Sequence, residues 1–237
     1  MIAGGYTLLG VKHDTNQDTY LIRDNTEIKL FAVADGMGGH AAGDLASAIA
    51  IKVLETKLDD FSEAGIQQVI EEANNQILSV AKSKEEYKGM GTTVALCMVK
   101  GNELFLSHIG DSRIYIDKGD GDFFITTDHS VVQQLVERGE ISASEAKDHK
   151  MKNIITRALG VENSVEMETE ITDLTDDTVI VICSDGVSNV MEDETIVKVA
   201  KENAPEKAAE ILCETAKTMG STDDITAIVV KVRGEEK

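Results

Sequence analysis

The chain has 237 residues, 43 acidic against 23 basic side chains, and a formal net charge of −20. This charge argues against partners that require a positive protein surface, namely nucleic acid and an anionic membrane. No apolar run approaches the roughly 18 residues of a membrane span, and no basic segment precedes an apolar one at the N-terminus. We therefore expect a cytoplasmic protein.

Short segments rich in β-branched and aromatic residues predict strands at 6–9, 18–22, 30–34, 92–99, 104–108, 113–116, 123–126, 179–183 and 225–232. Two polar connections that contain glycine, 101–103 and 118–122, have the length and composition of hairpin loops. Most of the strands are therefore expected to pair with an antiparallel neighbour.

Apolar residues at helical spacing predict helices at 42–58, 63–82, 194–202 and 205–219. Clustered strands and paired helices, without strict alternation, indicate an α+β fold in which mostly antiparallel sheets are covered by helix pairs. No linker composition interrupts the chain, so we expect one domain over 1–237. The charged helical pattern from 130 to 157 fits a mobile insertion beside the site at least as well as a core element.

Three cysteines, Cys97, Cys183 and Cys213, lie in apolar surroundings. Their odd number and their neighbours indicate reduced thiols that fill the core of a cytosolic protein.

Carboxylates recur at the ends of the predicted strands. Asp35-Gly36 and Asp185-Gly186 end two apolar runs, Asp223 precedes a third, and Asp18 begins a predicted strand. A single Asp-Gly step is equally consistent with a turn. Several carboxylates that converge would repel one another without a hard cation such as Mg²⁺ or Mn²⁺ between them. The repetition therefore favours a metal site.

The sequence lacks the motifs that other hydrolytic and nucleotide-binding mechanisms require. No cysteine is followed six residues later by arginine, and neither a GxxxxGK[ST] loop nor a GxSxG elbow is present. Asp120-Gly-Asp122 mimics an aspartyl nucleophile, but its position in a predicted hairpin favours a turn. Metal-assisted hydrolysis remains, in which two divalent ions activate a bridging water against a phosphoryl group.

In that arrangement Asp35 is the natural bridging ligand, beside the carbonyl of Gly36. Asp185 and Asp223 complete the coordination of one metal ion, and Asp18 orients water that is bound to the other.

Eight segments then carry a family resemblance. They are NQD at 16–18, FAVADGMGGH, GMGTTV, HIGDSRIY, TTDHSVVQQLVERGEIS, ITRALG, VICSDGV and GSTDDITAIVV. Together, in this order and spacing, they resemble the metal-dependent Ser/Thr protein phosphatases of type 2C, bacterial branch.

This resemblance implies a four-layer α-β-β-α sandwich that hydrolyses phosphoserine and phosphothreonine in proteins. It implies that Asp35, Gly36, Asp185 and Asp223 bind two tightly held Mn²⁺ or Mg²⁺ ions. It also implies a third, looser metal at Asp111 and a flap formed by residues 139–155. Asp111 is also consistent with a simple turn. His40 is interpreted as a helix-start residue rather than a proton donor, and His108 and His129 as structural.

Two positions depart from the family pattern. His13 stands where the family has its phosphate-binding arginine, and Asp224 where asparagine is usual after the last metal aspartate. We assign His13 to the catalytic and substrate-binding set with Asp18 and Asp35. Lys12 is an alternative if the register shifts by one residue, although lysine offers a point charge instead of a planar fork. Asp224 either adds a carboxylate near the metals or points to the surface.

Two functions from different classes follow. The first is an active, monomeric phosphatase that acts on phosphorylated proteins and opposes a Ser/Thr kinase. The second, motivated by His13, is a weakly catalytic sensor that binds metal and phosphorylated segments. The aspartates at 35, 185 and 223 favour catalysis.

Overall fold

The protein is described here by a computed structural model over residues 1–38 and 42–232. The strands are Ile2–Leu8 (β1), Asp18–Arg23 (β2), Ile28–Met37 (β3), Gly91–Thr92 (β4), Val94–Lys100 (β5), Glu103–Ile109 (β6), Arg113–Asp117 (β7), Phe123–Ile125 (β8), Glu168–Asp173 (β9), Val179–Cys183 (β10) and Ile225–Lys231 (β11). The α-helices are Gly43–Lys57 (α1), Glu63–Ala81 (α2), Val131–Glu137 (α3), Ala143–Lys147 (α4), Asp185–Ser188 (α5), Asp193–Glu202 (α6) and Pro205–Thr218 (α7). None of these helices has the length and apolar character of a membrane span within the described ranges.

The strands form two antiparallel sheets. One has the order β1-β11-β10-β7-β8, and the other has the order β2-β3-β5-β6-β9, with β4 added at the end of β3. The predicted hairpins β5-β6 and β7-β8 are both present. The first and last strands of the described chain are neighbours, since Ile2 pairs with Lys231 and Leu8 with Ile225.

Three apolar cores separate four layers. Helices α1 and α2 cover the second sheet, α6 and α7 cover the first, and the third core lies between the sheets. Strand β3 shows how one sequence serves two of these cores: Leu30 and Ala32 face the helices, whereas Phe31 and Val33 face the opposite sheet. Successive side chains of a strand point to opposite faces, so a strand buried on both sides reads as a continuous apolar run. The predicted α-β-β-α sandwich is confirmed.

Two local differences from the predicted elements affect the site. Strand β3 continues to Met37, because Gly36 pairs with Thr92 and Met37 with Gly91 of β4. Asp35 therefore lies inside a strand and not in an Asp-Gly turn. The predicted strand 92–99 is divided at Thr93 into β4 and β5.

Strand β9 was not predicted. Its sequence, Glu168–Asp173, is almost entirely polar, and among the described strands it pairs with β6 alone, at the edge of its sheet. Charged side chains are typical of edge strands and leave no apolar alternation to recognise. The three cysteines are free and buried, as expected for core thiols.

Candidate functional site

The predicted carboxylates meet in a cleft where strands of both sheets begin or end. The cleft has a volume of about 220 Å³. Its lining includes His13, Asp35, Gly36, Asp111, Asp185 and Asp223. The lining therefore includes every predicted site residue except Asp18, which is buried beside the cleft, directly opposite Asp35 in the β2-β3 register.

Strand pairing fixes the backbone of Asp35. The amide of Asp35 donates to the hydroxyl of Thr93 (3.0 Å), and its carbonyl accepts from the Thr93 amide (2.9 Å) and the Thr92 hydroxyl (2.9 Å). The position of this carboxylate is thus set by three hydrogen bonds that do not involve the carboxylate itself.

The two glycines that follow Asp35 and Asp185 are required for space. A Cβ atom at Gly36 would overlap the carbonyl oxygen of Gly43, and one at Gly186 would overlap that of Asp224. Both glycines let neighbouring backbone approach the cleft closely. Packing of the protein alone therefore accounts for the glycine in each Asp-Gly step.

Burial makes the acidic cluster electrostatically unfavourable by itself. Desolvation, followed by repulsion from Asp18 and Asp185, raises the pKa of Asp35 well above its ordinary value. Desolvation raises the pKa of Asp18 to about 7 and that of Asp185 to about 6. Desolvation and then repulsion from Asp185 also raise the pKa of Asp111. Each shift records the cost of an ionised carboxylate in this environment.

Two buried oxygens of the cluster lack a partner. Asp18 accepts from the Ser184 hydroxyl at Oδ2 (2.7 Å), and Asp185 accepts from the Asn189 amide at Oδ2 (2.8 Å). Within the described residues, Oδ1 of each carboxylate has no hydrogen-bond donor. Buried polar atoms are normally paired, and divalent cations such as Mg²⁺ and Mn²⁺ prefer carboxylate oxygens. These residues therefore fit a divalent metal.

The Asp223 carboxylate has two differently held oxygens. Oδ1 accepts from the amide of Asp224 (3.1 Å), and Oδ2 accepts from the ammonium of Lys12 (2.8 Å). The Asp223 side chain is 30% exposed and the Lys12 side chain 45%, so this pair lies at the open rim of the cleft.

The two departures from the family pattern contact each other. Nδ1 of His13 lies 2.9 Å from Oδ2 of Asp224. The same buried carboxylate accepts from the amides of Gly10 and Gln17, each at 2.8 Å. Only 2% of the Asp224 side chain is exposed, so the surface-directed alternative for Asp224 is wrong. Asp224 instead anchors the 10–17 loop beside the cleft.

Asp111 lies in the β6-β7 connection, which is fixed by a buried histidine. The amide of Gly110 donates to Nδ1 of His129 (3.1 Å), so Nε2 carries the ring hydrogen of the neutral imidazole; Nε2 lies 3.0 Å from Oε1 of Glu168 and 3.3 Å from Nη1 of Arg157. The backbone of His129 also pairs with Gly110 and with Thr156. His129 thus joins the Asp111 connection to the end of the predicted flap, as its structural interpretation expects.

The segment predicted to form a flap, residues 139–155, contains helix α4, which a Ser142-Glu145 capping box begins. Asn153 and Ile155, at its end, line the cleft. His40 lies outside the described residues.

Sequence reasoning missed several residues that shape the site. The hydroxyl of Thr93 supports Asp35 and contacts the hydroxyl of Ser112 (2.7 Å), while Gln17 accepts from the Gly36 amide through its carbonyl (3.1 Å). Thr93 and Gln17 lie in GMGTTV and NQD, two of the segments that carry the resemblance, but the sequence does not show these contacts, because hydrogen bonds between distant segments leave no local pattern. The contact of Lys12 with Asp223 was also missed, because the sequence suggested Lys12 only as a substitute for the family's arginine after a shift of register.

Comparison with known proteins identifies the family of this chain. Residues 11–227 match the family described as Protein phosphatase 2C. The chain is 34% identical to the serine/threonine phosphatase stp of Listeria innocua, over 93% of this chain and 91% of that one. It superposes on the serine/threonine phosphatase PstP/Ppp of Mycobacterium tuberculosis with a TM-score of 0.89, 32% identity, and coverage of 98% and 99% of the two chains.

A further solved structure is the catalytic domain of PstP in complex with two manganese ions. Its TM-score is 0.87 at 32% identity, with coverage of 98% of each chain. The sequence match, the sandwich and the carboxylate cleft agree, and the chain belongs to the protein phosphatase 2C family, the metal-dependent protein serine/threonine phosphatases.

Proposed function

We propose that this protein hydrolyses phosphoserine and phosphothreonine in other proteins with two tightly bound divalent cations, Mn²⁺ or Mg²⁺, and opposes a Ser/Thr protein kinase. We further propose that it acts in the cytoplasm as a monomer, as one domain with its flap at 139–155. The observation that carries the proposal is the buried cluster of Asp18, Asp35 and Asp185, whose raised pKa values and partnerless oxygens call for a cation.

The protein would hold the cations through oxygen ligands of the cleft. Asp35, the carbonyl of Gly36, Asp185 and Asp223 form this set, and Asp111 would contribute to a third, weaker site. When bound, the two ions supply a water nucleophile of lowered pKa and neutralise charge on the phosphoryl group.

The surrounding residues position the reactants. Asp18 is held at Oδ2 by Ser184, which leaves Oδ1 to accept a hydrogen from water. His13 is held at Nδ1 by Asp224 and lines the cleft, where it would contact the phosphoryl group. The end of the flap, at Asn153 and Ile155, would border the substrate.

The test is release of phosphate from a phosphothreonine peptide. We expect hydrolysis with Mn²⁺, none in excess chelator, and a loss of several orders of magnitude in Asp35→Asn, which keeps the side chain's shape. Asp120→Asn, an exposed aspartate in the β7-β8 loop, is the control. Turnover that persists without metal, or a trapped phosphoenzyme, contradicts the proposed water chemistry.

A second candidate is a sensor that binds metal and phosphorylated segments with little turnover. The observation in its favour is His13 in place of the family's arginine, tied to Asp224. Tight binding of the phosphopeptide by the Mn²⁺-loaded protein without phosphate release would support the sensor and exclude the phosphatase.

A further inference from the structure

The contacts of His13 do not show which residue supplies a positive charge to the phosphoryl group. The family pattern has a permanently charged arginine at that position. Here an imidazole replaces it, and Asp224 holds one of the two ring nitrogens. The next residue along the same loop, Lys12, carries a full positive charge.

Lys12 contacts the oxygen of Asp223 that the neighbouring amide leaves free. Oδ1 of Asp223 accepts from the amide of Asp224, whereas Oδ2 accepts from the Lys12 ammonium at 2.8 Å. A cation that bound Asp223 through Oδ2 would therefore compete with this ammonium.

The backbone of Lys12 is fixed independently of its side chain. The amides of Val11 and Lys12 both donate to the carbonyl of Thr222, at 3.1 and 3.2 Å. A lysine stem has four rotatable carbons, so its ammonium can leave Asp223 while its Cα stays beside the cleft. The side chain is 45% exposed at this rim and is not confined by packing.

We propose that Lys12 exchanges partners during the reaction cycle: its ammonium holds Asp223 before a cation binds, and then pairs with the phosphoryl group of the substrate. The second half of this exchange rests on the proposed function. Lys12 thereby supplies the charge that the family's arginine provides, beside His13, which Asp224 holds at the cleft.

The rival explanation is an ordinary surface ion pair. Exposed pairs contribute little to stability, and their loss leaves distant properties unchanged. The two explanations predict different changes in affinity. A surface ion pair predicts no change. Under the exchange, removing the ammonium raises the affinity for the metal and lowers the affinity for phosphate.

The experiment measures both affinities in Lys12→Met, which keeps the length of the stem. Calorimetric titration of Mn²⁺ into the metal-free protein should show affinity raised about two- to fivefold, the range of a partly exposed ion pair. Titration of inorganic phosphate into the Mn²⁺-loaded protein should show affinity lowered about tenfold, as for a lost charge-assisted hydrogen bond. For an aryl phosphate, KM should rise while kcat changes little.

Two variants control for charge. Lys88→Met removes another lysine, whose pair with Glu85 is exposed, and it should alter neither affinity. Lys12→Arg should restore phosphate binding. Unchanged affinities in Lys12→Met, or weaker binding of both ligands, would overturn the exchange. A wild-type protein that binds Mn²⁺ and phosphate but hydrolyses nothing would refute the proposed function alone, because the calorimetric arms need no turnover.

Discussion

The metal-free protein should lose stability as the pH rises, and a bound cation should restore it. Desolvation raises the pKa of Asp18 from 3.8 to about 7 in the folded protein. The folded state therefore binds this proton more tightly than the unfolded chain does. The resulting stability is fully present below the unfolded pKa and is lost as the pH rises through the folded pKa.

The size of the effect follows from the shift. One pKa unit corresponds to about 1.4 kcal/mol, so Asp18 alone accounts for about 4 kcal/mol between about pH 4 and pH 7. A domain is stable by only about 5–15 kcal/mol in total. For a chain of this size, about 4 kcal/mol corresponds to a change in Tm of about 10 °C. Asp185, with its pKa raised to about 6, acts in the same direction.

Thermal unfolding in chelator, measured from about pH 4 to about pH 8, tests this prediction. The Tm of the metal-free protein should fall across this range, and saturating Mn²⁺ should raise it most at the alkaline end, since only the folded state binds the ion. Asp18→Asn keeps the acceptor for Ser184 but cannot ionise, so its Tm should fall less. Asp120→Asn should behave as the wild type. A Tm that rises with pH in chelator, or an equal slope in Asp18→Asn, would refute the electrostatic reasoning.

Three further predictions concern other parts of the molecule. Asp223→Ala should lower turnover by several orders of magnitude, whereas Asp111→Ala should mainly harm protein substrates and keep the two tight metals; calorimetry showing their loss in Asp111→Ala contradicts the assignment. Replacing residues 139–155 with a short flexible linker should change the preference among protein substrates more than activity on an aryl phosphate, and equal losses would make the segment part of the catalytic core. Burial raises the pKa of Cys183 to about 12, so a thiol reagent should modify it only after unfolding, and rapid reaction of the native protein would show that it is accessible.

The sequence predicted the fold well because its strands are buried on both faces. The run Phe31 to Ala34 is apolar throughout, since its side chains serve two cores. By contrast, β9 has only one strand neighbour and a charged sequence, so local pattern carries no sign of it. The pattern of apolar residues therefore predicts the strands of the buried layers and fails for a strand at the edge of a sheet.

For the site, the sequence indicated the residues but not their contacts. Asp18, Asp35 and Asp185 were chosen because they stand at the ends of predicted strands, and the structure places them close together. The meeting of His13 with Asp224 could not be foreseen, because 211 residues separate them. The sequence shows two unusual residues, and only the folded structure shows that Asp224 contacts His13.

The pairing of the first strand with the last has a consequence for how the cleft forms. Asp224 joins residues 214 and 207 positions earlier, at Gly10 and Gln17, and β1 lies against β11. Contacts of such sequence separation form slowly, and only after the intervening chain has collapsed. During synthesis we expect Asp18 and Asp35 to remain solvated until the segment around Asp223 has emerged and joined the sheet. We therefore expect only the completed fold to capture a cation, and we expect detachment of β1 or β11 to release it.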